Sequence, residues 1–500
     1  MRRALFVLLF LSYAYFYQAG GWNQNSRFAL VRAITNDWSL RIDPYQGNTG
    51  DKAFFEGHYY SDKAPGLAFA ALPIVEPARL VYKAAGGDPE TFEGLALLSY
   101  LATVFTVGLL TAYAGVVVFD LARAWGASTG GAVFAATAFG LATPMWSLAT
   151  IFIGHAISAA CLVVAFAGAY RVGRAATPAT RSWLLPAASA VSVWDGRNGW
   201  MVGLGAGWAT ISEFPAAVPA VLLAVWTLLS ALPLGRRRAV AVVSRMVAGA
   251  ALCAGLLMVY QYACFGSPLH LAYSSEQGFE GMQQGLFGIS LPKLDALRQI
   301  LIGEYRGLLP ISPIMAAAPF GLFLFRRDRT AVAVAATIAV FYVLLNAGYH
   351  YWEGGWSFGP RHLSPALPFV CLGLAALWSA AGRAGRGALL ALWVLSAGLA
   401  FVGTSTMPLP PSNIAAPMRQ LMWPAFRAGD FALNTQTFAH IATDPSRWRS
   451  RADPPAAFNL GMKMGFVGHA SLIPLYVGWM LCGVWLWREM ERERLARGSA

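Results

Sequence analysis

Charge is the scarcest resource of this chain. Only 12% of its 500 residues are Asp, Glu, Lys or Arg, while 57% are hydrophobic. A soluble domain carries about 25% charged residues, so an ordinary water-soluble globule is excluded. Cysteine is nearly as rare. Cys161, Cys253, Cys264, Cys371 and Cys482 form an odd set in or beside apolar runs, and no disulfide framework is expected. No GxGxxG follows a strand-like run, and GxxxxGK(S/T), HExxH and CxxC do not occur, so the usual nucleotide-binding, zinc-protease and redox motifs are missing. No tight acidic pair stands at ligand spacing, so no cofactor is expected and a metal is not indicated. Neither a fixed-period repeat nor a low-complexity tail divides residues 1–500, which read as a single transmembrane domain.

What the chain has instead is long apolar runs, many near or beyond the roughly 20 residues that cross a bilayer. Candidate spans fall at 4–18, 92–120, 130–149, 151–170, 199–213, 215–233, 240–262, 308–325, 331–348, 363–380, 387–403 and 469–488, twelve in all. The fold class is therefore an all-α polytopic membrane protein. Segment 183–194 either extends the pair at 199–233 or forms a further helix. The N-terminus, MRRALFVLLFLSYAYFYQAGGW, imitates a signal peptide, but its bulky aromatics and the lack of a small-x-small cleavage site favour an uncleaved first helix.

The net charge of +13 does not indicate a nucleic-acid partner, because the basic residues cluster in short loops between apolar runs. Arg2 and Arg3, Arg123, Arg171 and Arg174, Arg236 to Arg238, Arg326, Arg327 and Arg329, Arg383 and Arg386, and the tail from Arg488 all fall on one side of the twelve-span topology. By the positive-inside rule that side is cytoplasmic and holds both termini. The chain is then expected in a bacterial inner membrane among its lipids. Four segments face out: 19–91, 263–307, 349–362 and 404–468. Within the first, residues 65–84 carry Glu76, Pro77, Arg79 and Lys83 among apolar residues and read as a helix lying along the interface.

The outer segments hold the chemistry. Loop 22–66 sets Asp37, Asp43, Asp51, Glu56 and Asp62 among Lys52, Lys63 and aromatic residues. Residues 26–34 look like a short helix with Ser26 as its N-cap. Carboxylates at a membrane surface can act as general bases toward a hydroxyl, and nearby Lys or Arg can hold a phosphate; any one acid alone is better explained as a solvated surface charge, and it is the cluster with its aromatic and basic partners that points to chemistry. The stretch YHYWEGGWSFGPRHL, 349–363, is a glycine-rich turn carrying His350, Trp352, Glu353, Trp356, Arg361 and His362. An interfacial aromatic belt explains its rings but not Glu353 and Arg361 within one turn. Arg306, beside Tyr305 at the start of a span, could sit at phosphate level or snorkel. Glu213, before Pro215, lies at the outer end of a span, where an acid is a functional candidate. His155 reads as a packed helix residue.

Loop 22–66 and the turn GGWSFGPRHL resemble the GT-C superfamily of integral-membrane glycosyltransferases. The branch resembled most contains the lipid A aminoarabinose transferases, with the protein O-mannosyltransferases further off. The family's first outer loop opens Asp-Glu-x-Arg-Tyr-Ala, continues to Gly-Asp-Trp and reaches Tyr-x-Glu-Lys-Pro-Pro. Here Arg27, Phe28 and Ala29 match the first element, Asn36, Asp37 and Trp38 the second, and Tyr60, Asp62, Lys63 and Pro65 the third. The resemblance implies a GT-C-like fold and transfer of a sugar from a polyprenyl-phosphate donor to a lipid, glycan or protein acceptor on the periplasmic face, with inversion. It implies that Lys63 neutralises the departing phosphate, with Arg361, Arg306 and Lys52 as further cations, and that Asp62 orients that lysine or the sugar. Arg27, Tyr60, Glu213, His350, Trp352, Glu353 and Trp356 are the corresponding substrate-side candidates. The family's leading acid, usually the base, falls on Gln24, beside Asn25, and an amide cannot accept the proton. Another acid then serves, Asp51 before Asp62 and Asp43; or the acceptor needs little activation; or the chain binds without transferring. A transporter or flippase is the alternative of a different class, but such proteins concentrate polar groups at the bilayer midplane.

Overall fold

The computed structural model describes residues 1–176, 191–325, 328–438 and 456–498. Helices occupy every segment expected to span. Eight are long and apolar enough to cross a membrane by length and composition: Phe92–Ala124, Gly154–Ala175, Phe214–Leu234, Arg236–Phe265, Arg329–Gly348, Arg361–Ala380, Arg383–Thr406 and Gly468–Ala496. The other four segments are short, interrupted or polar at one end. Arg2–Ala14 has 13 residues, and Thr129–Leu141 ends before Pro144, which starts the separate turn Met145–Ala149. Val191–Ser212 carries Asp195, Arg197 and Asn198 in its first turns. Residues 308–325 break into Leu308–Ile311, Pro313–Ala316 and Ala318–Leu322, because Pro310, Pro313 and Pro319 each remove a backbone donor. The alternative of a further helix over 183–194 falls mostly outside the described residues.

Burial sorts the helices. The apolar windows of Phe92–Ala124, Gly154–Ala175 and Arg361–Ala380 are 72–78% buried, whereas those of Arg236–Phe265, Arg383–Thr406 and Gly468–Ala496 are 22–28% buried. The first group forms the centre of the bundle and the second presents its side chains to lipid. The first helix is central despite its length. Leu5, Leu9 and Tyr13 are buried, the Tyr13 hydroxyl donates to Gly140 O at 3.1 Å, and Trp146 Nε1 donates to Ser12 O at 3.2 Å.

One end of the bundle is closed by ion pairs: the N-terminal ammonium with Glu489 at 2.9 Å, Arg2 with Asp120 at 2.6 Å and Arg123 with Glu493 at 3.2 Å. Both chain ends and the Arg123 loop therefore meet at one end, as the clustering of basic loops anticipates. The functional loops gather at the other end, over helix Trp22–Asp37. This helix begins a turn before the expected 26–34 segment. Ser26 does not cap it; the Asn25 side chain accepts from Gly21 N at 3.3 Å, and Ser26 lies inside the helix with its hydroxyl turned toward Ser61. Residues 66–84 are helical through Pro73 and Pro77 and are not among the eight candidate spans. Two short sheets were not legible in the sequence: Phe16–Tyr17 pairs with Phe458–Asn459, and Lys52–Phe55 with His58–Ser61.

Candidate active site

The hairpin Lys52–Ser61 positions the site. Its two-residue tip, Glu56–Gly57, takes positive φ at both residues, 47° and 83°, which is the turn whose twist matches paired strands. Asp43 fixes the hairpin from outside: its carboxylate accepts from Tyr59 N at 2.6 Å and lies 2.8 Å from His58 Nδ1. Lys52 turns away from the site, with Nζ donating to Gln46 O at 3.1 Å and lying over the Tyr59 ring. The strand that leaves the hairpin then delivers Ser61, Asp62 and Lys63 against Trp22–Asp37. Ser26 and Ser61 hydroxyls meet at 2.8 Å, and Ser26 Oγ donates to Asp62 Oδ1 at 3.3 Å.

Lys63 is the hub. Its Nζ lies 2.7 Å from Asp62 Oδ2 and 3.1 Å from Asp51 Oδ2, with all three side chains at most 14% exposed. Burial works against the Lys63 ammonium, but the two carboxylates outweigh it and hold its pKa above the ordinary lysine range. Burial pushes Asp62 up to about 6, against the pull of Lys63 and with a further push from Asp51. Two buried carboxylates thus share one cation. Around them stand Tyr273, raised by burial and lowered somewhat by Lys63, and Tyr349, raised by burial to about 12. The charges of Lys63, Arg361, Asp51 and Asp62 all act on Tyr349, after burial.

Arg361 is half-buried. Like Arg306, it has a buried, unpartnered Nε and no ion pair among the described residues, but unlike Arg306 its guanidinium donates to no carbonyl there. The neighbouring His362 also has a buried, unpartnered Nε2, and its ring packs edge-on against His155 and Tyr349 at 5.0 and 5.1 Å. Arg27, by contrast, is fully engaged: it donates to Asn23 Oδ1 at 3.1 Å, Ala64 O at 2.8 Å, Ser212 O at 3.3 Å and Glu213 Oε1 at 2.6 Å. Glu213 also lies 3.8 Å from His155 Nδ1. The Arg27–Glu213 pair ties the first outer loop to the end of Val191–Ser212 and so positions the site. Only glycine fits at Gly154, because a Cβ there would fall 2.2 Å from Glu213 Oε1 and 2.6 Å from Ser212 O.

The remaining candidates sit in the covering loops. Arg306 is buried, and its guanidinium donates to Tyr305 O, Gly355 O and Pro410 O at 3.2, 2.9 and 3.4 Å. It staples the 349–362 turn to the chain after Thr406. His350 N donates to Gly288 O at 2.7 Å, the Trp352 carbonyl accepts from Asn346 Nδ2 at 2.7 Å, Trp356 packs against the core, and Glu353 is half-buried. Tyr60 is buried against Phe265, with rings 5.2 Å apart. Sequence reasoning passed over Glu276, Tyr273 and Tyr349. Glu276 comes within reach only through a strand-like bridge to Ala53 and a Gln277 N to Lys52 O bond of 3.1 Å, a long-range pairing that no local pattern announces. Residues 431–438 of the long outer loop lie against the same region: Asn25 Nδ2 donates to Thr437 O at 3.0 Å, and Asn434 Nδ2 to Gln18 O at 2.7 Å.

No family model and no curated protein matches the chain. Among solved structures it is similar to ArnT from Cupriavidus metallidurans bound to undecaprenyl phosphate, at 15% identity and a TM-score of 0.51, with 99% of this chain and 77% of that chain covered. It is also similar to the apo oligosaccharyltransferase of Archaeoglobus fulgidus, at 13% identity and a TM-score of 0.42, covering 80% of this chain and 55% of that one. The chain thus spans about half the length of the archaeal protein. The likeness to ArnT extends over nearly the whole of this chain, and the two share a fold.

Proposed function

We propose that the chain is a membrane glycosyltransferase that moves a sugar from a polyprenyl-phosphate donor to an envelope lipid, glycan or protein on the periplasmic face of a bacterial inner membrane. The observation that carries this reading is Arg361, a half-buried guanidinium with no ion pair among the described residues and an unpartnered Nε, set near the Asp51–Lys63–Asp62 cluster. An uncompensated cation at this depth costs free energy unless an anion meets it, and a guanidinium fork suits a phosphate. That the similar ArnT structure holds undecaprenyl phosphate supports the same class of ligand here.

In the reaction, an acceptor oxygen attacks the anomeric carbon from the face opposite the phosphate. The bond from that carbon to the phosphate oxygen breaks, its electron pair stays on the phosphate, and polyprenyl phosphate leaves. A single displacement inverts the anomeric configuration and needs no cofactor. Arg361 stabilises the charge that develops on the leaving phosphate, where preformed dipoles and cations act most strongly. Lys63 has two carboxylates on its ammonium, so its role is to present a remaining N–H to donor oxygens and to hold Asp51 and Asp62 in place. Asp62, in turn held by Ser26, orients that ammonium.

The test uses purified protein in nanodiscs, radiolabelled polyprenyl-phosphate sugars and envelope extracts. Label transfer together with saturable undecaprenyl phosphate binding is the expected result. Absence of lipid-phosphate binding, with solute uptake in proteoliposomes, would replace this reading with a transporter.

A further inference from the structure

The second outer loop carries a carboxylate that the mechanism above leaves unused. Glu276 is 9% exposed, both of its oxygens are buried, and no side chain hydrogen-bonds to either; the nearby Phe279 backbone N–H alone favours its charged form from the main chain. Native proteins seldom bury an acid without donors. Its backbone bridges to Ala53, two residues from Asp51 and one strand away from Tyr60, and the charges of Asp62, Lys63 and Asp51 all act on it. It therefore borders the lysine cluster from the side opposite the hairpin's own partner strand. The other acids there are tied to the Lys63 ammonium. Asp62 receives Ser26 on one oxygen and Lys63 on the other, and Asp51 is pinned to Lys63 through Oδ2.

Resting on the transferase reading, we infer that Glu276 is the general base that takes the proton of the acceptor hydroxyl. A base needs a lone pair free for the incoming O–H, and Glu276 shares neither oxygen with another side chain while standing beside the groups that hold the donor. As the acceptor oxygen bonds to the anomeric carbon, its proton passes to the Glu276 carboxylate. The electron pair of the broken bond leaves with the phosphate, so Glu276 ends protonated and the lipid phosphate ends with one more negative charge. The proton is then released to water. This placement also accounts for an amide at Gln24, since the base comes from a different loop. Burial first, and then the Asp62 charge, push the Glu276 pKa up to about 7, in the range where a carboxylate is most effective as a base near neutral pH.

The experiment compares wild type with Glu276→Gln in nanodiscs, reading undecaprenyl phosphate binding, transfer rate from pH 5 to 9 and thermal midpoint. The expected result is a loss of kcat of about 10²- to 10⁴-fold with donor affinity unchanged, and disappearance of the acid limb near pH 7. Full transfer by Glu276→Gln, with donor binding intact, overturns the inference and leaves the transferase reading standing. So does a reduced rate that keeps the limb near pH 7, since Glu276 would then only position the loop. Wild type that binds no lipid phosphate instead defeats the transferase reading itself. The thermal midpoint guards against misfolding. The raised folded pKa means that Glu276 stabilises below its unfolded value, about 4.3, and that this contribution is lost as pH rises through 7. Glu276→Gln is therefore expected to melt no lower than wild type, with its advantage large at pH 8, shrinking as pH falls through 7, and gone only below about pH 4.

Discussion

Two arginines that look alike in sequence have opposite fates, and the difference is one of partners. Arg27 meets Glu213 and three other acceptors inside the protein, while among the described residues Arg361 makes no ion pair. Arg361→Ala should leave folding intact and weaken undecaprenyl phosphate binding roughly ten- to hundredfold, the worth of a charge-assisted hydrogen bond of about 1.5–3 kcal/mol. A ligand titration by native mass spectrometry measures it, and unchanged affinity would remove Arg361 from the phosphate role. Arg27→Met should instead lower stability by about 3–5 kcal/mol, because it strands the buried Glu213. The double replacement Arg27→Met with Glu213→Leu should cost less than Arg27→Met alone, as read by denaturation in detergent. The residue types of the site were legible in the sequence: Asp51, Asp62, Lys63 and Arg361 all stand in or beside the cluster. Their pairing was not. Nothing in GHYYSDKAPG says that Lys63 is already matched by two acids, or that Asp43 and Lys52 turn outward to brace the hairpin, because these outcomes depend on the strand register.

The elements show the same division between periodicity and contact. Long apolar helices announce themselves by composition, so their places were readable to within a few residues. The break of residues 308–325 was also written in Pro310, Pro313 and Pro319. The site hairpin was hidden because each strand has only four residues and its tip is Glu–Gly, not the favoured Asn–Gly. That tip is also its weak point. Glu56 holds φ 47°, a region asparagine tolerates better than glutamate. Glu56→Asn should raise the thermal midpoint modestly, by a few tenths of a kcal/mol to about 1 kcal/mol, whereas Gly57→Val should lower it and reduce transfer by loosening Asp62 and Lys63. If both variants melt and react as wild type does, the hairpin does not control the site.

At the scale of the whole molecule, the decisive property is which end faces out. Basic loops gather at the end closed by the pairs of Met1 with Glu489 and Arg123 with Glu493, and the candidate site lies at the opposite end. Positive charge is retained on the cytoplasmic side during insertion, so the site end should face the periplasm, where a lipid-linked sugar meets envelope acceptors. The native cysteines leave this open to direct measurement, since four are buried and Cys161 is half-buried. Single cysteines placed at exposed positions report each end: Glu56→Cys and Lys293→Cys at the site end, Arg237→Cys and Arg386→Cys at the other. In spheroplasts, a membrane-impermeant maleimide should label the first pair at once and the second only after lysis. The reverse pattern would put the Lys63 cluster in the cytosol, where envelope acceptors on the outer leaflet are out of reach. Labelling of both pairs in sealed spheroplasts would mean that the chain inserts in two orientations, and the charge asymmetry of its loops would then be too weak to direct it.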